Sequence, residues 1–183
     1  MDYSIRAVQQ ADWQRVKEIR LASLLDPVAP LAFLETHEQA VARPDEFWQE
    51  RAAGSRAGLI SRQFVAEQPD GSWLGTLTVL VEPAGAEVPF GEPAEISQTH
   101  LVGVFIRPEA RGTGLTDELF RTALEWSWAL PEPRIERVRL YVHEENTRAQ
   151  SFYRRTGFRP TGATTPVPHD PAATEIEFAI PRA

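Results

Sequence analysis

The segment at 106–120, IRPEARGTGLTDELF, gathers the residue types that hold an anion. An apolar run ends at a proline, an arginine and two glycines follow, and a helix begins. A helix start leaves several N–H groups unpaired and is partially positive, because its peptide dipoles align. Gly112 and Gly114 would let the main chain approach a phosphate with no Cβ in the way, and Arg111 adds a charge-assisted donor. Alone the pattern is ambiguous, since a strand-to-helix turn that merely needs glycine gives the same GxG. Two nucleotide loops fail on their own requirements. A Walker A loop needs GxxxxGK[ST], which the chain lacks, and a dinucleotide fingerprint needs a third glycine where Asp117 stands.

A second segment, 146–158, reads NTRAQSFYRRTGF. Asn146 suits a helix N-cap and Gly157 a helix stop. Asn146 and Tyr153 lie two helical turns apart, so they share a face.

The elements that must position these residues follow from periodicity and turn chemistry. Residues 3–8 alternate as a strand. Asp12 is an N-cap candidate for a helix with Trp13, Val16, Ile19, Arg20 and Leu24 at helical spacing, ended by Asp26-Pro27. Residues 27–44 read as a loop with some helix, and 44–53 as a clearer helix with Pro44 in its first turn. Strands are expected at 63–66 and 73–81, joined by hairpin chemistry at 68–72. A proline- and glycine-rich loop follows, then a strand ending LVGVFI, where Gly103 hints at a bulge or a close approach. Next come a helix from about Thr113 with Leu115, Leu119, Ala123 and Trp126 on one stripe, an alternating strand at 137–143, and the 146–157 helix. A proline-rich loop at 160–171 leads to a last strand, TEIEFAI. The whole reads as one α/β domain with a mixed sheet over residues 1–183.

Composition narrows the partners. Across 183 residues, 42% hydrophobic and 25% charged is ordinary for a soluble globular protein. No stretch approaches the about 18 apolar residues of a membrane span, and the start MDYSIRAVQQADW lacks the marks of a signal peptide. A cytoplasmic protein that does not engage membranes is therefore expected. A net charge of −7 argues against nucleic acid and suits a cationic small substrate only mildly. With no cysteine, disulfides, thiolate metal sites and cysteine nucleophiles are excluded, and the four scattered histidines have no metal-ligand spacing. Neither a metal nor a metal-dependent step is expected, and a homodimer is left open.

Together the two segments resemble the GNAT superfamily of acyl-CoA-dependent N-acetyltransferases. Arg111-Gly-Thr-Gly114-Leu-Thr116 follows the acetyl-CoA motif [RQ]xxGx[GA] after a strand in all but its last position, and Asn146 to Phe158 match NxxAxxFYxxxGF at every position. The element order fits over essentially the whole chain. The resemblance implies a GNAT fold, a mixed central sheet with splayed parallel strands flanked by helices. It also implies acetyl-CoA as cosubstrate and transfer to a primary amine, most simply that of a small molecule. A catalytically silent acyl-CoA-binding regulatory domain and a peptide or protein N-terminal acetyltransferase are the alternatives.

The resemblance also assigns residues. Main-chain groups of Val104, Phe105 and Ile106 would meet the pantetheine arm, and one N–H there would be the oxyanion donor. Arg111, Gly112, Thr113, Gly114, Leu115 and Thr116 would surround the pyrophosphate, with Asn146 alongside. Thr116 departs from the pattern, which has Gly or Ala; its hydroxyl could donate to a phosphate oxygen or its methyl could crowd the site. Tyr153, protonated at neutral pH, is the candidate acid for the leaving thiolate, with aromatic packing as the rival role. His100 stands where many members carry a glutamate base, and an imidazole can also accept a proton; a structural histidine is the rival. Glu82 and Glu95 are weaker alternatives. The acceptor pocket is expected from the 25–43 region, with Phe33 and Glu35 as contacts, and from the 160–173 loop.

Overall fold

The computed structural model describes residues 2–56, 59–168 and 170–183, with the backbone only at Ser55, Arg56 and Leu59. The strands are β1 (Ser4–Ala7), β2 (Ser55–Arg56), β3 (Leu59–Glu67), β4 (Trp73–Glu82), β5 (Gln98–Ile106), β6 (Arg137–His143), β7 (Arg159–Val167) and β8 (Asp170–Pro181). They form a mixed sheet in the order β1-β3-β4-β5-β6-β8-β7, with β2 paired to β3. The helices are α1 (Trp13–Leu24), α2 (Ala29–Ala32), α3 (His37–Val41), α4 (Asp45–Ala52), α5 (Leu115–Ala129) and α6 (Thr147–Arg155).

Each face of the sheet buries a separate apolar cluster, because side chains alternate along a strand. Val65, Trp73 and Phe105 meet Val16, Ile19 and Trp48 of the α1 and α4 layer. On the other face Phe64, Leu77, Leu101 and Val138 meet Leu115, Leu119, Phe120 and Ala123 of α5. The helical spacing expected for α5 thus corresponds to the face it buries.

Asp12 stands at the N-cap position of α1, yet its carboxylate turns backward. It accepts from the Gln9 N–H at 2.8 Å and pairs with Arg6 at 2.7 Å. Arg6 also binds Glu67 at 2.6 Å, and Arg15 reaches the same carboxylate at 3.1 Å. The hydrogen bond from Arg6 outweighs burial and, helped by Trp73, holds the Glu67 carboxyl at about 2.

The expected loop at 160–171 is instead largely strand, and its His169 lies outside the described residues. The correction has a physical cause. β7 pairs only with β8 and forms the outer edge of the sheet, where a proline needs no ladder partner for its missing N–H. Its register slips between Pro160 and Thr164, which accommodates Gly162 as an irregularity within the pairing.

Two departures from regular pairing shape the centre of the sheet. Thr78 pairs with Val102 and Thr76 with Phe105, so one residue of β4 faces two of β5, and Gly103 takes φ +63°. This is the bulge that an in-strand glycine suggests. Beyond it, β5 and β6 are parallel neighbours only from Gln98–Arg137 to His100–Arg139 and then part. The splayed parallel pair is present.

Candidate active site

Where β5 and β6 separate, a cavity of about 810 Å³ opens. Its floor is one face of three strands: Ser61 and Gln63, Thr78 and Leu80, His100 and Val102. The α1–α4 layer supplies Arg20, Phe33, Glu35, Arg43 and Arg51, and Tyr141, Asn146, Tyr153 and Glu175 close the β6 side. Pro89 and Phe90 of the loop after β4 complete the wall. None of the described residues of 160–173 takes part, because that segment is paired along β8; the 83–97 loop covers the cavity in its place.

The tip of that loop, Phe90 to Glu92, is fastened to β6. The Glu92 N–H donates to the Tyr141 hydroxyl at 2.9 Å, Arg139 donates to the Glu92 carbonyl at 2.8 Å, and Phe90 packs edge-on against Tyr141. Gly91, at φ +85°, lies so close to the Tyr141 ring that an added Cβ would stand 2.4 Å from it.

The glycine turn sits at the end of β5. After a 3-10 turn at Pro108–Ala110, Gly112 and Gly114 take φ +78° and +89°, and Gly114 stands at the N-cap of α5. A Cβ at either glycine would meet nothing within 4 Å, so the helix N-terminus opens onto empty space. Thr113 spends its hydroxyl on the Ala110 carbonyl at 2.8 Å. Leu115 is fully buried, leaving only its main chain for a ligand, while Thr116 is half-buried at the surface of the turn. Arg111 donates through Nε to the Ile106 carbonyl at 3.1 Å and pairs with Asp26 just beyond α1. Asp117, standing where a third glycine would be, pairs instead with Arg155 of α6 at 2.9 Å.

The titratable groups cluster around the fork. Nδ1 of His100 lies 3.0 Å from Oε1 of the fully buried Glu82. Burial alone would raise the Glu82 carboxyl, but the His100 hydrogen bond, the charges of His100 and Arg139 and the Gln98 amide together hold it below the usual range. Arg139, itself fully buried, pairs with Glu82 at 2.7 Å and with Glu177 at 2.9 Å. When the imidazole is neutral, an ionised Glu82 fixes its tautomer: Nδ1 donates, and Nε2 carries the lone pair.

Asn146 caps α6 by accepting from the Ala149 N–H at 3.2 Å, and it lines the same cavity as Tyr153. The Tyr153 ring packs among Phe120, Phe152, Phe158 and Phe178, so packing and access to the cavity coexist in one residue. Burial and the nearby Glu175 charge raise its phenol well above the ordinary value, which keeps the proton on.

Of the other residues singled out in the sequence, Val104 lines the cavity, while Phe105 and Ile106 send their side chains into the two cores. Phe33 and Glu35 line it, but Glu35 already accepts from Arg20 and Arg43 at 3.2 and 3.3 Å. Glu95 is exposed and outside the wall. Buried His143 accepts the Glu145 N–H at 3.1 Å and so secures a turn. Sequence reasoning missed Glu175, whose carboxyl burial pushes up to about 7. In TEIEFAI its alternation with Ile176 and Phe178 reads as a wet face. Among the described residues no group of three or more metal-ligating side chains is gathered, and no helix is long and apolar enough to cross a membrane.

Residues 13–158 match the Acetyltransferase (GNAT) family. The chain therefore belongs to the GNAT family. It is 37% identical over 112 residues to a mycothiol acetyltransferase of Cellulomonas flavigena, covering 61% of this chain and 30% of that protein. It is 33% identical to one of Arthrobacter over 67% of this chain and 32% of that relative. The matches thus span about a third of these relatives' length. Among solved structures, Arabidopsis thaliana NAA60 in complex with acetyl-CoA superposes at a TM-score of 0.69 and 17% identity, over 98% of each chain. A GCN5-related N-acetyltransferase from Kribbella flavida superposes at 0.67 and 19%, again over 98% of each chain. These structural likenesses establish the fold.

Proposed function

We propose that this protein moves an acetyl group from acetyl-CoA to the primary amine of a small molecule, by direct transfer in a ternary complex, and that it works in the cytoplasm. The observation that carries the reading is the forked β5–β6 pair. It places an open helix N-terminus at one end and a cavity holding His100 and Tyr153 at the other. The residues present fit the cosubstrate. Gly112 and Gly114 leave room for phosphate oxygens against the first N–H groups of α5, and β5 has no strand neighbour on its β6 side from Leu101 onward.

Acetyl-CoA would supply a thioester-activated acetyl group. The chain's own groups then handle protons and position. An acceptor ammonium loses two protons on becoming an amide. The His100 Nε2 accepts one, directly or through a water, with Glu82 steadying the imidazolium that results. The other replaces the proton that the Tyr153 hydroxyl gives to the departing sulfur. Main-chain N–H groups near Val104, left unpaired toward β6, would polarise the acetyl carbonyl. A small acceptor suits a cavity roofed by the 83–97 loop, and relatives named as mycothiol acetyltransferases support that size class.

Thiol release measured across polyamines, amino acids, aminoglycosides and N-terminal peptides tests the reading. Turnover on a small amine supports it. Acetyl-CoA binding with no acceleration on any amine would instead identify a silent regulatory domain, and turnover confined to peptides an N-terminal acetyltransferase. Within that assay, His100→Ala should lose at least about tenfold in kcat, and Glu175→Gln should retain the greater share. The reverse ranking would move the base to Glu175.

A further inference from the structure

We infer that the acceptor amine carries an anionic oxygen group close to its nitrogen, a carboxylate being the simplest, and that Arg51 and Thr78 grip it. This deepens the reading above and rests on it.

The whole chain has a formal charge of −7, yet the cavity wall has the opposite tendency. Arg20, Arg43 and Arg51 face it, against the carboxylates of Glu35 and Glu175. Glu35 is already shared by Arg20 and Arg43. Burial pushes Glu175 up to about 7, so it carries only part of a charge near neutrality. Among the described residues the wall thus sets three guanidiniums against one shared carboxylate and one partly charged one, a balance that favours an anion over a bare ammonium.

The position of Arg51 is specific. Its Nη2 lies 3.8 Å from the point a Cβ would occupy at Gly103, and the Thr78 hydroxyl lies at the same distance. Both groups therefore flank the β5 bulge, where the acetyl carbonyl would be held. The carboxylate of an α-amino acid is two bonds from its nitrogen, so an amine in reach of that carbonyl puts the anion beside these donors. Thr78 is more than nine-tenths buried, and among the described residues its hydroxyl has no hydrogen-bond partner. The same holds for Oε1 of Gln63, its cross-strand neighbour, an acceptor suited to the amine's own N–H. Buried polar groups left without partners are costly in the empty protein. An α-amino acid would satisfy both, with oxygen toward Thr78 and nitrogen toward Gln63.

The experiment compares the common amino acids, each beside its own carboxamide, and spermidine, by thiol release. The expected result is at least a tenfold higher kcat/KM for the preferred acid than for its carboxamide. Arg51→Met should raise KM for the acid at least tenfold and erase that preference, Arg51→Lys should keep part of it, and Thr78→Val should weaken it. Acetyl-CoA affinity within twofold of the parent, by calorimetry, shows that each variant is folded. Equal or better use of carboxamides or spermidine, or an undiminished preference in Arg51→Met, overturns the inference. Calorimetric binding of acid and carboxamide to the coenzyme A-loaded protein makes the same comparison without turnover. Silence of every amine in the thiol assay would therefore sink the transferase reading, while the binding preference still decides the anion.

Discussion

Nδ1 of His100 and Oε1 of Glu82 lie 3.0 Å apart, the carboxylate fully buried and the imidazole at the floor of the cavity. The pair aligns the imidazole and is also a stability element. The Glu82 carboxyl is held below its ordinary value of 4.5, so its contribution is complete above about pH 4.5 and is lost as pH falls through the lowered value. Glu82→Gln should cost about 3 kcal/mol at pH 7, since it leaves Arg139 and His100 short of a buried partner. Denaturant melts from pH 7 to pH 3 should show the gap to the parent narrowing below pH 4.5; a constant gap would place the effect elsewhere.

Glu175 works in the opposite sense. Its folded-state value of about 7 exceeds the ordinary 4.5, so the native state binds the proton more tightly than the unfolded one. Stability should therefore fall as pH rises from 4.5 through 7. Glu175→Gln removes that penalty and should gain, relative to the parent, up to roughly 3 kcal/mol between pH 4 and pH 8. Parallel melting curves for the two proteins would contradict the burial of a carboxylate here.

Tyr153→Phe keeps the ring among its four aromatic neighbours and deletes only the proton. Turnover should drop about a hundredfold, with acetyl-CoA affinity nearly intact. Unchanged turnover would leave the residue a packing role alone.

Gly114→Asp sets a side chain at φ +89° and a carboxylate at the open helix N-terminus. Calorimetry should find acetyl-CoA affinity lowered at least about 30-fold, or about 2 kcal/mol. Thr116→Gly should shift it by no more than about 1 kcal/mol, the scale of a single hydrogen bond.

Gly91→Ala drives a methyl into the Tyr141 ring and must displace the roof loop or the ring. A stability loss of about 1–3 kcal/mol and a several-fold higher acceptor KM are expected. An unaltered KM would show that the loop does not bound the acceptor site.

The two segments with fixed spacing were legible because their local chemistry is self-contained: glycines at positive φ before α5, and Asn146 capping α6. The bulge at Gly103 was also announced by a single residue type. β7 was not, since Pro160, Gly162 and Pro166 read as loop unless the strand is known to lie on the sheet's edge. The acid–base cluster was legible only in part. His100 could be aligned by count, but its partner lies 18 positions earlier, across a β4–β5 pairing that only the folded register brings together. Glu175 and Glu177 alternate like solvent-facing residues; their burial depends on β6 arriving beside them, and Glu177 also gains Arg137 and Arg139 as partners.

The fork between β5 and β6 is, in effect, an edge strand inside a protein. From Leu101 onward β5 offers main-chain groups that no neighbouring strand on that side takes up. On the rim of a sheet such a row invites another chain to add a strand and so promotes aggregation. Here β4 occupies the other side, and helices and the 83–97 loop stand over the opening. On the proposed function, this row of groups is left for a thinner chain with its own amides, the pantetheine arm of acetyl-CoA. The same unpaired edge that is a hazard on a sheet's rim would then serve as a binding rail inside the protein.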